Sequence, residues 1–188
     1  MPSNDPRLLR LKEILEKKAV LHGDFTLASG AKSTYYFDGR RVTHDPEGVT
    51  LVGTLMQELV HASGAQAIGG PTSAANAIIT SVQVISQQKG QPIDGFYVRS
   101  EQKAHGTQQM IEGNLPARAG APVAIVDDTM TTGGSLERAI EAAEAKGCKV
   151  VLVGVVVDRQ QGGADRLRAK GYNVKALLVA DADKIKVP

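Results

Sequence analysis

Apolar residues recur at helical spacing from the start of the chain. Leu8, Leu9, Leu11, Ile14 and Leu15 follow Pro6, with Lys12, Glu13, Glu16 and Lys17 between them, which predicts an amphipathic helix. Residues 22–42 are rich in Ser, Thr, Tyr and Gly and lack that period, so a hairpin or irregular strand region is expected. Leu51, Val52, Leu55, Met56, Leu59 and Val60 mark a second amphipathic helix, ending near Gly64. The pattern then becomes regular. Strands are predicted at 66–70, 95–99, 122–126, 149–157 and 172–179, and helices at 74–87, 135–146 and 164–170. Strands alternating with helices imply βαβ units, a mostly parallel sheet and helices on both of its faces. Right-handed crossovers follow by default. The strand order is not legible at this level. Residues 1–188 are expected to form one α/β domain, with 1–45 as an N-terminal elaboration.

One connection is long. Residues 100–120 are polar and contain Gly, with no clear period, and they exceed the usual upper length of about 12–15 residues for a loop. Arg99, Lys103 and His105 stand near its start, which favours an active-site lid.

Composition narrows the classes. The chain has 188 residues, enough for one sizeable core. Its formal charge of +2, with no Lys/Arg block, gives no nucleic-acid or membrane footprint, so a small-molecule ligand is expected. Cys148 is the only cysteine, which excludes an internal disulfide and fits a reducing, cytoplasmic setting. The first 18 residues have no signal-peptide core. The longest apolar run, 150–157, is too short to span a bilayer as a helix and is expected to be a strand buried on both faces.

The strongest chemical signal is Val123-Ala124-Ile125-Val126-Asp127-Asp128-Thr129-Met130-Thr131-Thr132-Gly133-Gly134-Ser135. An apolar strand runs into two carboxylates, then a Thr/Gly turn, then a helix start. Ligands in open α/β sheets sit at the carboxyl ends of strands, and a helix N-terminus offers backbone N–H groups to a phosphate. Thr131, Thr132 and Ser135 add hydroxyls, while Gly133 and Gly134 permit close approach and positive φ. Two carboxylates would repel a bare phosphate. They suit a ligand that also carries hydroxyls or a metal, and a ribose 5-phosphate satisfies both demands. The plainer alternative is an Asp pair that caps the helix.

This segment resembles the phosphoribosyl-pyrophosphate signature of the type I phosphoribosyltransferases. Three further segments resemble orotate phosphoribosyltransferases in particular: Phe25-Thr26-Leu27-Ala28-Ser29-Gly30-Ala31-Lys32-Ser33 with Tyr35-Tyr36-Phe37; Tyr97-Val98-Arg99-Ser100-Glu101-Gln102-Lys103-Ala104-His105-Gly106; and Val157-Asp158-Arg159-Gln160-Gln161-Gly162-Gly163. The resemblance implies a type I phosphoribosyltransferase fold with a small N-terminal hood, and transfer of ribose 5-phosphate from phosphoribosyl pyrophosphate to orotate in UMP synthesis. It implies that Mg²⁺ arrives mainly on the substrate pyrophosphate, with no protein metal site, and that a homodimer shares its active sites through the mobile loop. Arg99, Lys103 and His105 would close over the leaving group. Asp127 and Asp128 would hold ribose hydroxyls, and residues 129–135 the 5-phosphate. Tyr36, Phe37, Thr131 and Arg159 would bind orotate, Arg159 through its carboxylate.

The chain also departs from the family pattern. Many members carry Lys where this chain has Ala28 and Ser100, and the turn Gly69-Gly70-Pro71-Thr72-Ser73-Ala74-Ala75-Asn76 lacks a Lys that some use against pyrophosphate. Two rivals follow: a phosphoribosyltransferase for another base, and a non-catalytic regulator that senses phosphoribosyl pyrophosphate. His22, His44 and His61 lack metal-ligand spacing.

Overall fold

The computed structural model describes residues 3–26, 32–100 and 110–188, with Ser33 described by its backbone alone. Helix α1 spans Pro6–Lys18. Asp5 caps it by accepting the Arg7 backbone N–H at 2.9 Å, and Pro6 sits in the first turn, where a missing N–H costs nothing. Its Leu8, Leu11, Ile14 and Leu15 are buried. The Arg7 guanidinium spans Asp5 and Glu58, at 2.6 and 2.5 Å, and ties α1 to helix α3 (Pro46–Ala62).

Between these helices lies a hairpin of β1 (Val20–Thr26) and β2 (Lys32–Phe37), an antiparallel two-stranded sheet of its own. This is the predicted hood. A short helical turn, α2 (Arg40–Thr43), leads into α3, which is capped by Asp45 accepting the Gly48 N–H at 2.9 Å.

The main sheet holds β3 (Ala67–Gly69), β4 (Asp94–Val98), β5 (Ile111–Gly113), β6 (Pro122–Met130), β7 (Lys149–Asp158), β8 (Val174–Asp181) and β9 (Lys184–Lys186). Their order is β5-β4-β3-β6-β7-β8-β9. The five central strands run parallel, and β5 and β9 pair antiparallel at the two edges. Alternation along β6 divides the core. Ala124 and Val126 pack with α1, α3 and helix α4 (Ala74–Gln88), while Val123 and Ile125 pack with helices α5 (Gly134–Ala145) and α6 (Gly163–Ala169). Helices thus cover both faces, as the alternating pattern implies.

Three expectations are corrected. Strands β5 and β9 were not predicted; each has three residues and too little apolar alternation to signal itself. Strand β6 runs on to Met130, because its pairing with β7 continues through Met130 opposite Asp158. The two carboxylates therefore lie within the strand, not beyond it. Finally, β5 pairs with β4 from Val98 opposite Ile111, so the connection occupies 99–110 and is shorter than the sequence implied.

The chain order reverses between β3 and β6: β4 follows on one side of β3, and β6, β7 and β8 build outward on the other. A crevice at the carboxyl ends of the strands is the normal ligand site at such a point. Among the described residues, no helix is long and apolar enough to cross a membrane.

Candidate active site

The carboxyl end of β6 faces two ways. Successive strand residues point to opposite faces. Asp127 follows the parity of Val123 and Ile125, towards α5, and its Oδ2 accepts the Ser135 hydroxyl at 3.3 Å. Its Oδ1 accepts the Asp128 backbone N–H at 2.9 Å. Asp128 follows Ala124 and Val126, towards the hood. There Gly39 lies so close that a Cβ on it would stand 2.8 Å from Asp128 Oδ2 and 2.9 Å from Thr129 Oγ1. The sequence expectation set both carboxylates on one ribose; the strand geometry gives them different neighbours.

Their electrostatics differ accordingly. Burial, and then the charge of Asp128, push the Asp127 carboxyl up to about 7. Burial also raises Asp128; the Thr129 N–H and Arg40 pull it down, while Asp38 pushes it up. An acid whose folded pKa is raised holds more protons folded than unfolded between about 4 and about 7, so its contribution to stability falls as pH rises through that window. Asp127→Asn should therefore become progressively more stable relative to the parent from pH 5 to pH 8. The slope expected is at most about 1.4 kcal/mol per pH unit. Urea unfolding at four pH values checks it, and a constant difference would show a carboxyl that titrates normally.

The phosphate turn follows. Gly133 adopts φ 79° as the N-cap residue of α5, and no side chain caps that helix. The capping alternative for the Asp pair is thereby excluded. Only Gly133 of the two glycines takes a positive φ. The turn is braced from behind by α6: the Gly163 N–H donates to the Thr131 carbonyl at 3.1 Å, and a Cβ on Gly163 would meet that oxygen at 2.5 Å. Thr131, Gly134 and Ser135 are half-buried and Thr132 is exposed, while the Met130 side chain belongs to the core, leaving only its main chain for a ligand. The Thr129 hydroxyl is buried without a hydrogen-bond partner among the described residues.

Arg159 follows β7. Its backbone N–H donates to the Met130 carbonyl at 2.9 Å, which joins the β7 end to the phosphate turn. Its Nη2 donates to the Tyr35 hydroxyl at 3.0 Å, and its guanidinium carbon lies 5.5 Å from the Tyr35 ring centre and 5.9 Å from that of Phe37. The plain alternative, a surface pair with Asp158 or Asp165, does not occur: Asp158 accepts the Gln160 N–H and Asp165 pairs with Arg168. Among the described residues Arg159 has no ion-pair partner.

The hood corrects one expectation. Tyr35 and Phe37 share a face of β2 and meet Arg159, whereas Tyr36 turns the other way, half-exposed, with its ring centre 5.7 Å from that of Phe25. Of the two rings expected beside the base, the structure brings only Phe37 to Arg159. Tyr35 was missed, although the period of a strand carrying Tyr35-Tyr36-Phe37 pairs it with Phe37.

Arg99 sits just after β4. Its Nη1 reaches Glu112 at 3.4 Å, Glu112 also accepts the Tyr97 hydroxyl at 3.0 Å, and the Arg99 Nε is buried without a hydrogen-bond partner among the described residues. Glu112 was missed because β5 was. Lys103 and His105 lie outside the described residues, as do positions 27–31 of the hood segment.

A glycine turn at a helix start, two buried carboxylates and a guanidinium with no ion-pair partner among the described residues meet at the switch point. The phosphoribosyl transferase domain model matches residues 43–182. An orotate phosphoribosyltransferase of Rhodopirellula baltica is 39% identical over 176 residues, 90% of each chain. The Mycobacterium tuberculosis orotate phosphoribosyltransferase bound to Fe(III) dicitrate superposes with a TM-score of 0.82 at 38% identity, covering 95% of this chain and 98% of that one. Its complex with 5-phospho-α-D-ribosyl 1-diphosphate gives a TM-score of 0.78 at 34% identity, with the same coverage. The chain belongs to the phosphoribosyl transferase family, among its orotate phosphoribosyltransferases.

Proposed function

We propose that the protein transfers ribose 5-phosphate from phosphoribosyl pyrophosphate to orotate, giving orotidine 5'-monophosphate and pyrophosphate, in de novo pyrimidine synthesis. The observation that carries this is Arg159, a guanidinium seated on two aromatic rings beside the turn into α5, with no carboxylate partner among the described residues. Orotate supplies one, and a guanidinium fork matches its two oxygens.

The base nitrogen gives up its proton and attacks the anomeric carbon as the bond to the pyrophosphate oxygen breaks; pyrophosphate leaves with the electron pair, and the proton passes to it or to solvent. The transition state resembles an oxocarbenium ion, so the protein acts by positioning and by electrostatic stabilisation of the departing charge. Asp128 holds ribose hydroxyls. Asp127 holds Ser135 and through it the turn, and residues 129–135 take the 5-phosphate. Thr131 and Phe37 border the base, and Tyr36 offers an exposed ring at the rim. Arg99 has a buried N–H in reserve for the leaving group, and Lys103 and His105 complete that cover and exclude water. Among the described residues no group of three His, Cys, Asp or Glu is placed to hold a metal. Mg²⁺ carried mainly on the diphosphate would neutralise oxygens of the leaving group. A reducing cytoplasm suits the lone, buried Cys148.

Pyrophosphate release with orotate, uracil and hypoxanthine in turn tests the assignment. Release with orotate alone is expected. Release with another base, or with none, would refute it.

The same proposal includes a homodimer whose 99–110 connection serves the partner's site. Mixing an inactive Lys103→Ala chain with an inactive Asp128→Asn chain should restore part of the activity, because one site of the mixed dimer keeps both groups. Verified heterodimers without recovery would rule out shared sites.

A further inference from the structure

We infer that Arg40 is a further substrate-binding residue, taking the diphosphate end of phosphoribosyl pyrophosphate. The inference rests on the ribose placement proposed above. Its geometry begins at the turn between β2 and α2. Asp38, Gly39 and Arg40 form that turn, and Gly39 presses it onto Asp128 and Thr129 at distances that leave no room for a side chain. The Arg40 Nε donates to Asp38 Oδ1 at 2.9 Å, and the same oxygen accepts the Arg40 backbone N–H at 3.2 Å. The Arg40 Nη2 also reaches Asp38 Oδ2 at 3.4 Å, so one side of the guanidinium pairs with that carboxylate while the residue stays 54% exposed.

Charge supplies the second argument. Two carboxylates gather here, Asp38 and Asp128, with Asp127 next in the strand but turned towards α5. Burial and the charge of Asp38 raise Asp128, and Arg40 is the cation that acts on it. The charge of Asp128 acts on Arg40 in turn. A ligand bearing phosphates would be repelled by this cluster without a neighbouring cation. Arg40 provides it.

Direction supplies the third. The phosphate turn lies on the α5 side of β6, with Asp127 and Ser135. Arg40 lies on the opposite, hood side, with Asp128 and Tyr36. Arg40 is thus a cation beside Asp128 and away from the turn that would take the 5-phosphate. The second phosphorylated end of the same ligand, the diphosphate, is the group such a cation suits. The ion pair with Asp38 is exposed, and such pairs add little to folding, so holding the fold together does not account for it.

The test is calorimetric titration of Arg40→Ala, Arg40→Lys and Asp38→Asn with phosphoribosyl pyrophosphate, ribose 5-phosphate and orotate. Arg40→Ala should weaken phosphoribosyl pyrophosphate about tenfold, as expected for loss of a charged hydrogen-bonding partner, and the other two ligands less than about twofold. Arg40→Lys should keep most of the affinity. Asp38→Asn, which frees the guanidinium and removes a negative charge, should tighten binding. The loss in Arg40→Ala should shrink at high salt. An equal loss for ribose 5-phosphate would assign Arg40 to the sugar or its 5-phosphate and overturn the proposal, and unchanged affinity for all three would leave it only a partner of Asp38. A parent chain that binds phosphoribosyl pyrophosphate but does not transfer to orotate would sink the proposed function while these titrations still judge Arg40. A parent chain that does not bind it would sink both.

Discussion

Arg159→Ala will lower the efficiency of transfer to orotate roughly 30-fold or more. Removing one partner of a desolvated, hydrogen-bonded charge pair typically costs about 2–5 kcal/mol, and about 1.4 kcal/mol is a factor of ten. The residue is held for such a pair. Its backbone is fixed by the Met130 carbonyl, and its guanidinium is oriented by the Tyr35 hydroxyl over two rings. Folding depends on it little, since no carboxylate of the described chain uses it. Phosphoribosyl pyrophosphate should bind the variant almost unchanged, because the contacts proposed for it, on β6, the turn that follows, Arg40 and the 99–110 connection, do not include Arg159. Calorimetric titration of each ligand decides the matter. Retained orotate affinity would remove Arg159 from the base site, and an equal loss for both ligands would indicate general disruption. Tyr35→Phe isolates the orienting hydrogen bond, and a smaller loss confined to orotate is expected.

Asp128→Asn will weaken phosphoribosyl pyrophosphate about 10- to 100-fold, the range for hydrogen bonds to a charged group. Asparagine keeps the shape and an oxygen for the Thr129 N–H while removing the charge that ribose hydroxyls favour. Loss of fold is a poor alternative explanation. The carboxyl is raised by burial and by Asp38, so removing its charge should hold or increase the melting temperature. Orotate affinity should change little. Steady-state constants for both substrates, read beside a melting curve, check all three statements. An unchanged constant for phosphoribosyl pyrophosphate would make Asp128 a packing residue under Gly39.

The central sheet was legible because each buried parallel strand is a continuous apolar run between helical periods, as in Val150 to Val157. The phosphate turn was legible because few structures need carboxylates, hydroxyls and glycines in that order. Other features depend on contacts distant in sequence. β5 and β9 exist only because β4 and β8 offer edges to them, and Ile111-Glu112-Gly113 has no period of its own. The reach of β6 to Met130 is set by β7, so the opposed directions of Asp127 and Asp128 could not be read from two adjacent letters. The face of Tyr35 follows from strand parity, but parity does not say which face meets Arg159. Nothing in the sequence singles out Arg40, because the Gly39 contact that sets its turn beside Asp128 spans about ninety positions.

Among the described residues the strands β1 and β2 pair with each other and form a sheet separate from the main one. The domain model shared across the wider family begins at residue 43, after this hairpin. The proposed acceptor site is therefore split, with Tyr35 and Phe37 on the hairpin and Arg159 on the main sheet's side. A library confined to residues 20–38 would vary the acceptor preference while leaving the apolar interior of the seven-stranded sheet untouched. Such variants should keep ribose 5-phosphate binding even when orotate is lost, which makes this short ribbon a natural place to evolve transferases for other heterocycles.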